Sequence, residues 1–555
     1  MSFLQAPPQL VNPFHSDRVL QSSLRRVLSH TEFDALREVG MELGQLIADE
    51  LYPQQLAERR IEPVHTPFDA WGQRIDHISL TPLWQRFPDI ATRFGLVWRG
   101  YDQALGPHSR LMQFALVYLV SAASDFYACP LAMTDGAARA LIESGNEALI
   151  RRAVAHLTAR RADQMWTSGQ WMTETTGGSD ISRTETRAVR DGELWRIYGR
   201  KWFTSAATSE VALLLARPDG NPEGSEGLAL FYIEPRDAAG RLQHIRVDRL
   251  KDKLGTRKLP TAELTLEGAP AHLVGSERHG VRLIAPVLNQ TRVWNTFAAL
   301  SYFRKGLMLL RDYGRRRSIA GKRLADLPLH QDTVAGLQAE FEAGLHLALH
   351  LAELMGKQEH GLLDDRHRIL LRLLIPIAKL LTAKQALAGL SEIVEGFGGA
   401  GYVEDTGIPS LLRDAQVFSI WEGATDVLAL DALKVLQAEG SWAALQAALF
   451  TLTAQASGQF DQELPALRAA FDAARQSLTS RANAGERDAR ARGVAMTLGR
   501  CYAFALLVRH ASWASIAEQD PRPIAAARRF VAHGLNRCYD SLSKDARRLA
   551  LDELD

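Results

Sequence analysis

Trp171-Met172-Thr173-Glu174-Thr175-Thr176-Gly177-Gly178-Ser179-Asp180 stands where the texture of this chain changes. Ahead of it, apolar residues recur at helical spacing, as in Phe33, Leu36, Val39, Gly40 and Leu43 and in the apolar run 111–120. Behind it, short apolar runs at 194–198, 211–215 and 228–233 are bounded by Asp191-Gly192, Pro218-Asp219-Gly220 and Glu234-Pro235. Residues 261–266 alternate at strand period. Helical texture returns near His279 and runs to the end. No strand alternates with these late helices, which argues against a doubly wound sheet. The expectation is an α+β chain. N-terminal helices (1–165) lead to a β-barrel-like domain (166–278). A C-terminal helical bundle (279–440) and an extra helical segment (441–555) follow, the last joined through Gln437-Ala438-Glu439-Gly440-Ser441.

The 555 residues exceed what one compact core holds, and a 46% hydrophobic content supplies a large buried interior. A formal net charge of +1 gives no compositional argument for nucleic acid or an anionic membrane as the main partner. Cys129, Cys501 and Cys538 are far apart, with neither metal-ligand spacing nor a disulfide framework, which suits a reducing cytoplasm. No signal peptide is expected from the first residues. The longest uncharged stretch, 440–460, is too polar to span a bilayer, and the more apolar 111–124 is too short. Two histidine pairings, His346 with His350 and His533 with Cys538, are each incomplete as metal sites, so no metal is expected.

Four segments carry chemistry-bearing residues. In 171–180, hydroxyls and two glycines form a loop whose N–H groups can meet a polar ring edge or an anion; alone it is equally an ordinary turn. In Gly199-Arg200-Lys201-Trp202-Phe203-Thr204-Ser205, strand alternation sets Trp202 and Thr204 on one face and Phe203 and Ser205 on the other. The latter pair suits a flat ring, one by stacking and one by hydrogen bonding; a plain core strand is the alternative. Gly396-Phe397-Gly398-Gly399-Ala400-Gly401-Tyr402 is a glycine-rich turn. It precedes Arg413-Asp414-Ala415-Gln416-Val417-Phe418-Ser419-Ile420-Trp421-Glu422-Gly423-Ala424-Thr425. There one carboxylate, Glu422, lies between an aromatic and a glycine. Burial strengthens such a carboxylate as a base. A helix-start glutamate is the plainer reading.

Taken together, these segments resemble the acyl-CoA dehydrogenase family of flavoproteins. Its pattern is Thr-Glu-x-x-x-Gly-Ser-Asp, Lys-x-x-x-[Thr/Ser], Gly-Gly-x-Gly, Arg-Asp and an aromatic-Glu-Gly. The agreement covers about residues 100–435, and the resemblance extends also to 68–76, 129–134 and 249–255. Those last segments, Trp421 and the long extension look like the AidB branch of alkylation-response flavoproteins. The resemblance implies FAD, a cytoplasmic homotetramer and oxidation of an acyl-CoA thioester to the 2,3-enoyl-CoA. It implies Glu422 as the base that removes the α-proton. Flavin contacts are implied for Met172, Thr173, Gly178, Ser179, Phe203 and Ser205, with Thr204 as the alternative hydroxyl. Ser179 and Arg292 are placed toward the substrate. Arg317, Glu395, Gly398, Gly399, Ala424 and Asp426 are placed toward FAD, Arg317 reaching a neighbouring protomer's diphosphate.

Four departures stand against the family pattern. Ala320 replaces a phenylalanine near the FAD adenine, Glu395 a glutamine, and Ala424 and Asp426 a threonine and an amide. They predict weaker FAD binding, offset by the arginine run 315–317. A second reading makes the chain a flavoprotein that binds DNA through its extension, where 15 Lys/Arg face 12 Asp/Glu. The candidates are Arg481, Arg487, Arg490, Arg492, Arg500, Arg528, Arg529, Arg537, Arg547 and Arg548, diluted by Glu486, Asp488, Asp540 and Asp545. A helical cap on the tetramer is the structural alternative. Acyl chain length and the electron acceptor are not legible.

Overall fold

The computed structural model describes residues 5–456, 458–479, 483–539 and 543–553. They form two compact units. One is built from 46–105 and 112–294, the other from the N-terminal stretch to 45, 106–111 and the chain from 295 onward. The N-terminal segment is therefore divided between the two.

The first unit holds a hairpin, β1 (Val64–Phe68) and β2 (Arg74–Ser79), and the sheet strands β3 (Ser168–Trp171), β4 (Arg187–Asp191), β5 (Leu194–Thr204), β6 (Val211–Pro218), β7 (Ala229–Ile233), β8 (Ile245–Leu250) and β9 (Ala262–Leu273). The order is β3-β6-β4-β5-β9-β7, with β8 on β9. Strand β6 also pairs with β7, so the sheet closes on itself as a barrel. Both faces of β6 and β7 are buried, which explains their unbroken apolar runs. Leu214 and Phe231 turn into one core with Trp195, Ile197 and Val247, while Leu213 and Leu230 turn into another with Leu141 and Ile284.

The β1–β2 hairpin interrupts the helices expected over 1–165. Its strands are largely exposed, so no apolar alternation announces them. Asp76 fixes the hairpin to the barrel by accepting from the Val247 N–H at 3.2 Å, and Arg74 donates to the Val247 carbonyl at 2.8 Å. In the same unit the fully buried Asp135 carboxylate accepts from Gln113, Gln290 and Trp294 at 2.7–2.8 Å and from the Tyr101 hydroxyl at 2.8 Å.

The second unit is helical. Its central helices include Pro328–Glu359, Asp365–Gly396 and Thr425–Leu436, and the extension adds Ser441–Thr453, Leu464–Thr479, Ala484–Ala517 and Arg522–Ala532. Two of these contain windows of mean hydropathy 1.4 and 1.2, each 83% buried, so both are core helices of this unit. Gly499 lets the Ala484–Ala517 helix approach closely, since an added Cβ would meet Ile377 at 2.8 Å. Arg500 is buried and grips Glu340 at 2.9 and 3.0 Å, tying the extension to the Pro328–Glu359 helix.

Candidate active site

In the β unit, the 171–180 loop and strand β5 are joined directly. The Trp202 N–H donates to the Thr173 carbonyl at 2.9 Å. Beneath this link lies a buried ion pair. Lys201 Nζ donates to Glu174 Oε1 at 2.7 Å and to the Leu215 carbonyl at 2.9 Å. Thr186 Oγ1 and the Glu185 N–H complete the carboxylate's shell at 2.6 and 2.7 Å. Burial pushes the Glu174 carboxyl up, but Lys201 and these donors outweigh it and hold it below its ordinary value. Burial lowers the Lys201 ammonium, against the pull of Glu174. Sequence reasoning gave neither residue a role, although both stand in the quoted motifs; a buried cation needs a partner that one-dimensional spacing does not name.

The expected alternation in 202–205 does not hold. Between Lys201↔Leu264 and Thr204↔Ala262, β5 carries one more residue than β9, a β-bulge. Lys201 and Thr204 both turn inward, and Thr204 spends its hydroxyl on the Ala262 carbonyl at 2.6 Å. Trp202 and Phe203 instead flank one ammonium, with Lys251 Nζ 3.3 and 4.6 Å from their ring centres. Phe203 stands half exposed, and Ser205 is partly buried with its Oγ 3.2 Å from Thr261 Oγ1. Met172 and Thr173 are half buried, while Gly178 and Ser179 are exposed. Gly178 lies against Thr173, whose Oγ1 would stand 2.8 Å from an added Cβ. Arg292 is buried in the Gly280–Arg316 helix.

In the helical unit, Glu422 is half buried and its backbone lies in the left-handed region at φ 55°, followed by Gly423 at φ 97°. That conformation is costly for a non-glycine residue and persists only where surroundings impose it. Two grips do so. Lys379, fully buried, donates its ammonium to the Gly423 carbonyl at 2.7 Å. Trp421 Nε1 donates to Asn295 Oδ1, and Asn295 Nδ2 returns to the Phe418 carbonyl at 3.3 Å. Lys379 was missed by sequence reasoning, because one lysine inside an apolar helix carries no local signal.

The second set gathers at the C-terminal end of the Asp365–Gly396 helix, beyond Lys379. Tyr313 and Phe397 rings meet at 4.8 Å, which sets the glycine turn beside the end of the helix that leads to Arg317. Arg317 is half buried before the hairpin 318–323. Ala320 and Gly321 form its two-residue turn at φ 49° and 78°, so the alanine that replaces phenylalanine is exposed at a turn tip. Gly398 and Gly399 are exposed, and an added Cβ on either meets nothing within 4 Å, leaving open backbone for an anion. Glu395 is exposed to water, which relieves the expected repulsion. Asp426 lies 3.6 Å from Arg492, both exposed, and Ala424 caps the Thr425–Leu436 helix without a side-chain bond. A half-exposed aromatic, adjacent hydroxyls, an open glycine turn and an arginine are the donors and surfaces that FAD requires, so the residues present fit it.

The extension's arginines are largely committed. Arg500 is buried on Glu340; Arg528 pairs with Glu463 at 3.1 Å and Arg529 with Asp332 at 2.7 Å. Arg490 and Arg537 donate to the backbone carbonyls of Ser477 and His533. Arg481 and Asp540 lie outside the described residues, as does the side chain of Asp545.

Four family models match in sequence. They are the adaptive response protein AidB N-terminal domain (5–164), the acyl-CoA dehydrogenase middle domain (169–269), its C-terminal domain (278–437) and an acyl-CoA dehydrogenase 11 C-terminal domain-like model (445–552). Acyl-CoA dehydrogenase family member 11 of Caenorhabditis elegans is 39% identical over 94% of this chain and 88% of its own length. The putative acyl-CoA dehydrogenase AidB of Escherichia coli is 29% identical over 77% of this chain and 78% of its own. The crystal structure of C. elegans ACDH-11 in complex with C11-CoA superposes with a TM-score of 0.95 at 36% identity, covering 100% of this chain and 97% of that one. The chain belongs to the acyl-CoA dehydrogenase family of FAD-dependent oxidoreductases, in its AidB-like branch.

Proposed function

We propose that the protein oxidises an acyl-CoA thioester to the 2,3-enoyl-CoA, with Glu422 as the base that takes the α-proton. The observation that carries this reading is the Glu422 loop. A carboxylate held at φ 55° by a buried lysine on one side and an asparagine–tryptophan bond on the other has a fixed aim. A purely structural loop gains nothing from that strain. The C11-CoA held by the C. elegans relative supports an acyl-CoA as substrate.

Removal of the α-proton needs a polarised thioester carbonyl, and the Glu422 N–H is the donor in this chain. FAD supplies the acceptor for the hydride that leaves the β-carbon. When bound, its ring would be held at the polar edge by Thr173 and Ser205 and flanked by Phe203, with Met172 and Gly178 shaping the loop around it. Ser179 would meet the CoA arm, and Arg292 is the buried residue that the same reading assigns to the substrate. Arg317, Glu395, Gly398 and Gly399 would form the diphosphate end, with Ala424 and Asp426 near the cofactor.

A homotetramer belongs to the same proposal. Lys379 and Glu395 lie 16 residues apart on one helix, which is about 24 Å along its axis. A five-carbon ribityl chain does not bridge that length. On this reading the base end and the diphosphate end of one helical unit would serve two different FAD molecules, one completed by each neighbouring protomer.

Anaerobic titration of the flavin-loaded protein with acyl-CoAs of graded length tests the reading. Bleaching of the visible flavin band by one class of chain is expected, and Glu422→Gln is expected to keep its flavin and lose the bleaching. Normal bleaching in that variant removes Glu422 from the base role. The DNA-binding alternative is less favoured, because Arg500, Arg528 and Arg529 are engaged within the fold. Salt-dependent DNA retention by the intact protein would revive it.

A further inference from the structure

A cleft of about 620 Å³ in the helical unit is lined by six arginines: Arg18, Arg304, Arg311, Arg315, Arg522 and Arg529. The only acidic residues in its lining are Asp17 and Glu342. Glu342 takes Arg18 at 2.5 Å and Asp17 takes Arg304 at 3.2 Å. Arg522 and Arg529 pair with Asp520 and Asp332, which stand outside the lining. Among the described residues Arg311 hydrogen-bonds the Gln338 amide oxygen at 2.6 Å and feels Glu342 and Asp17 without an ion pair to either, and Arg315 makes no ion pair. A buried donor is also unmet, since Arg529 Nε makes no hydrogen bond, and Arg18 Nη1 reaches only Asp520 at 3.6 Å. Burial first, then the neighbouring Arg304, pushes the Arg311 guanidinium down to about 10. An excess of guanidinium groups with unused N–H donors in a partly dry cleft is a demand for an anion.

The cleft is separate from the glycine turn assigned to FAD. Arg304, Arg311 and Arg315 are seven and four residues apart and share one face of the Gly280–Arg316 helix. Leu310 and Tyr313 on its other side meet Gly396 and Phe397. The volume falls in the small-molecule range. Val19, Val334, Ala335, Ala339 and Ala526 give the cleft an apolar shelf beside its charges.

We infer that this cleft binds a small phosphate-bearing molecule, its phosphate held by the forks of Arg311 and Arg315 and its organic part against the apolar shelf. Arginine forks match phosphate oxygens two at a time, which a lone ammonium does not. The alternation of charged and apolar wall favours a phosphate ester over the free ion. The inference is independent of the acyl-CoA reading.

Calorimetric titration of the flavin-loaded full chain with ADP, pyrophosphate, inorganic phosphate and adenosine tests it. Saturable binding of ADP is expected, with none of adenosine. Arg315→Gln, an exposed substitution, and Arg311→Gln should each weaken ADP by roughly ten-fold. Tighter binding of ADP than of pyrophosphate identifies an ester as the ligand; equal binding of pyrophosphate and inorganic phosphate identifies the free ion. ADP affinity that is the same in wild type and in the Arg311→Gln, Arg315→Gln double variant overturns the inference, as does an absence of saturable binding by every phosphate probe. Neither result bears on flavin bleaching by acyl-CoA.

Discussion

Glu422 stores strain where the chemistry is placed. A non-glycine residue at φ 55° costs about 1 kcal/mol or more. Glu422→Gly is therefore expected to unfold at the same temperature as wild type or a few degrees higher, while losing all bleaching by acyl-CoA; a destabilised variant would show that the carboxylate's own contacts outweigh the backbone cost. Lys379 presents a different kind of dependence. It holds the Gly423 carbonyl from a fully buried position, so Lys379→Met frees the loop without touching the base. The rate of flavin reduction in stopped flow should fall about 10- to 100-fold, with flavin content retained, because a shift of about 1 Å in a reacting group costs that much. Glu422 was legible in the sequence because an aromatic and a glycine bracket it. Lys379 was not, since its partner is a backbone carbonyl 44 residues away.

At the scale of elements, the Glu174–Lys201 pair locks the loop after β3 to strand β5. Removing one partner leaves the other charge buried and alone, at a cost of about 3–5 kcal/mol. Lys201→Met should lower the unfolding temperature sharply and release flavin on dilution. Adding Glu174→Gln should recover much of the loss, and a double variant no better than the single would show that the pair is not coupled. The strands themselves were legible from short apolar runs and the turns between them. The bulge in β5 was not, because a period of two presumes an unbroken ladder and nothing in Trp202-Phe203-Thr204 marks an extra residue. The β1–β2 hairpin was also hidden, its exposed strands being anchored by Asp76 and Arg74 instead of by apolar side chains.

Across the helical unit, the His346 and His510 rings lie 4.4 Å apart, tilted by 41°, in the interior, each beside a serine of the Arg18–Val27 helix. Burial, then the neighbouring Arg26 and Arg18, brings His510 down to about 3, and burial with His510 holds His346 well below its ordinary range. Both are neutral in the folded protein at pH 7. Below about pH 6.5 the unfolded chain takes up protons that the folded chain refuses, so stability is full above that value and is lost as pH falls toward 3. His510 alone accounts for about 2 kcal/mol by pH 5. Thermal unfolding between pH 7 and 5 should show a steeper decline for wild type than for His510→Gln; equal slopes would remove His510 as the cause. The division of the first 165 residues between two units was invisible in the sequence, because it rests on partners hundreds of positions away.

Ser22 touches His510 across 488 residues of chain, and Arg25 reaches Glu518 across 493. On a ribosome adding about 5–20 residues per second, the Arg18–Val27 helix waits for these partners for about 25–100 seconds. Through that interval its Leu20 and Leu24, fully buried at the end, have no finished surface to cover them. Synthesis of this protein is thus a period of exposure for its earliest helix, during which chaperone supply and translation speed decide how many chains reach the folded state.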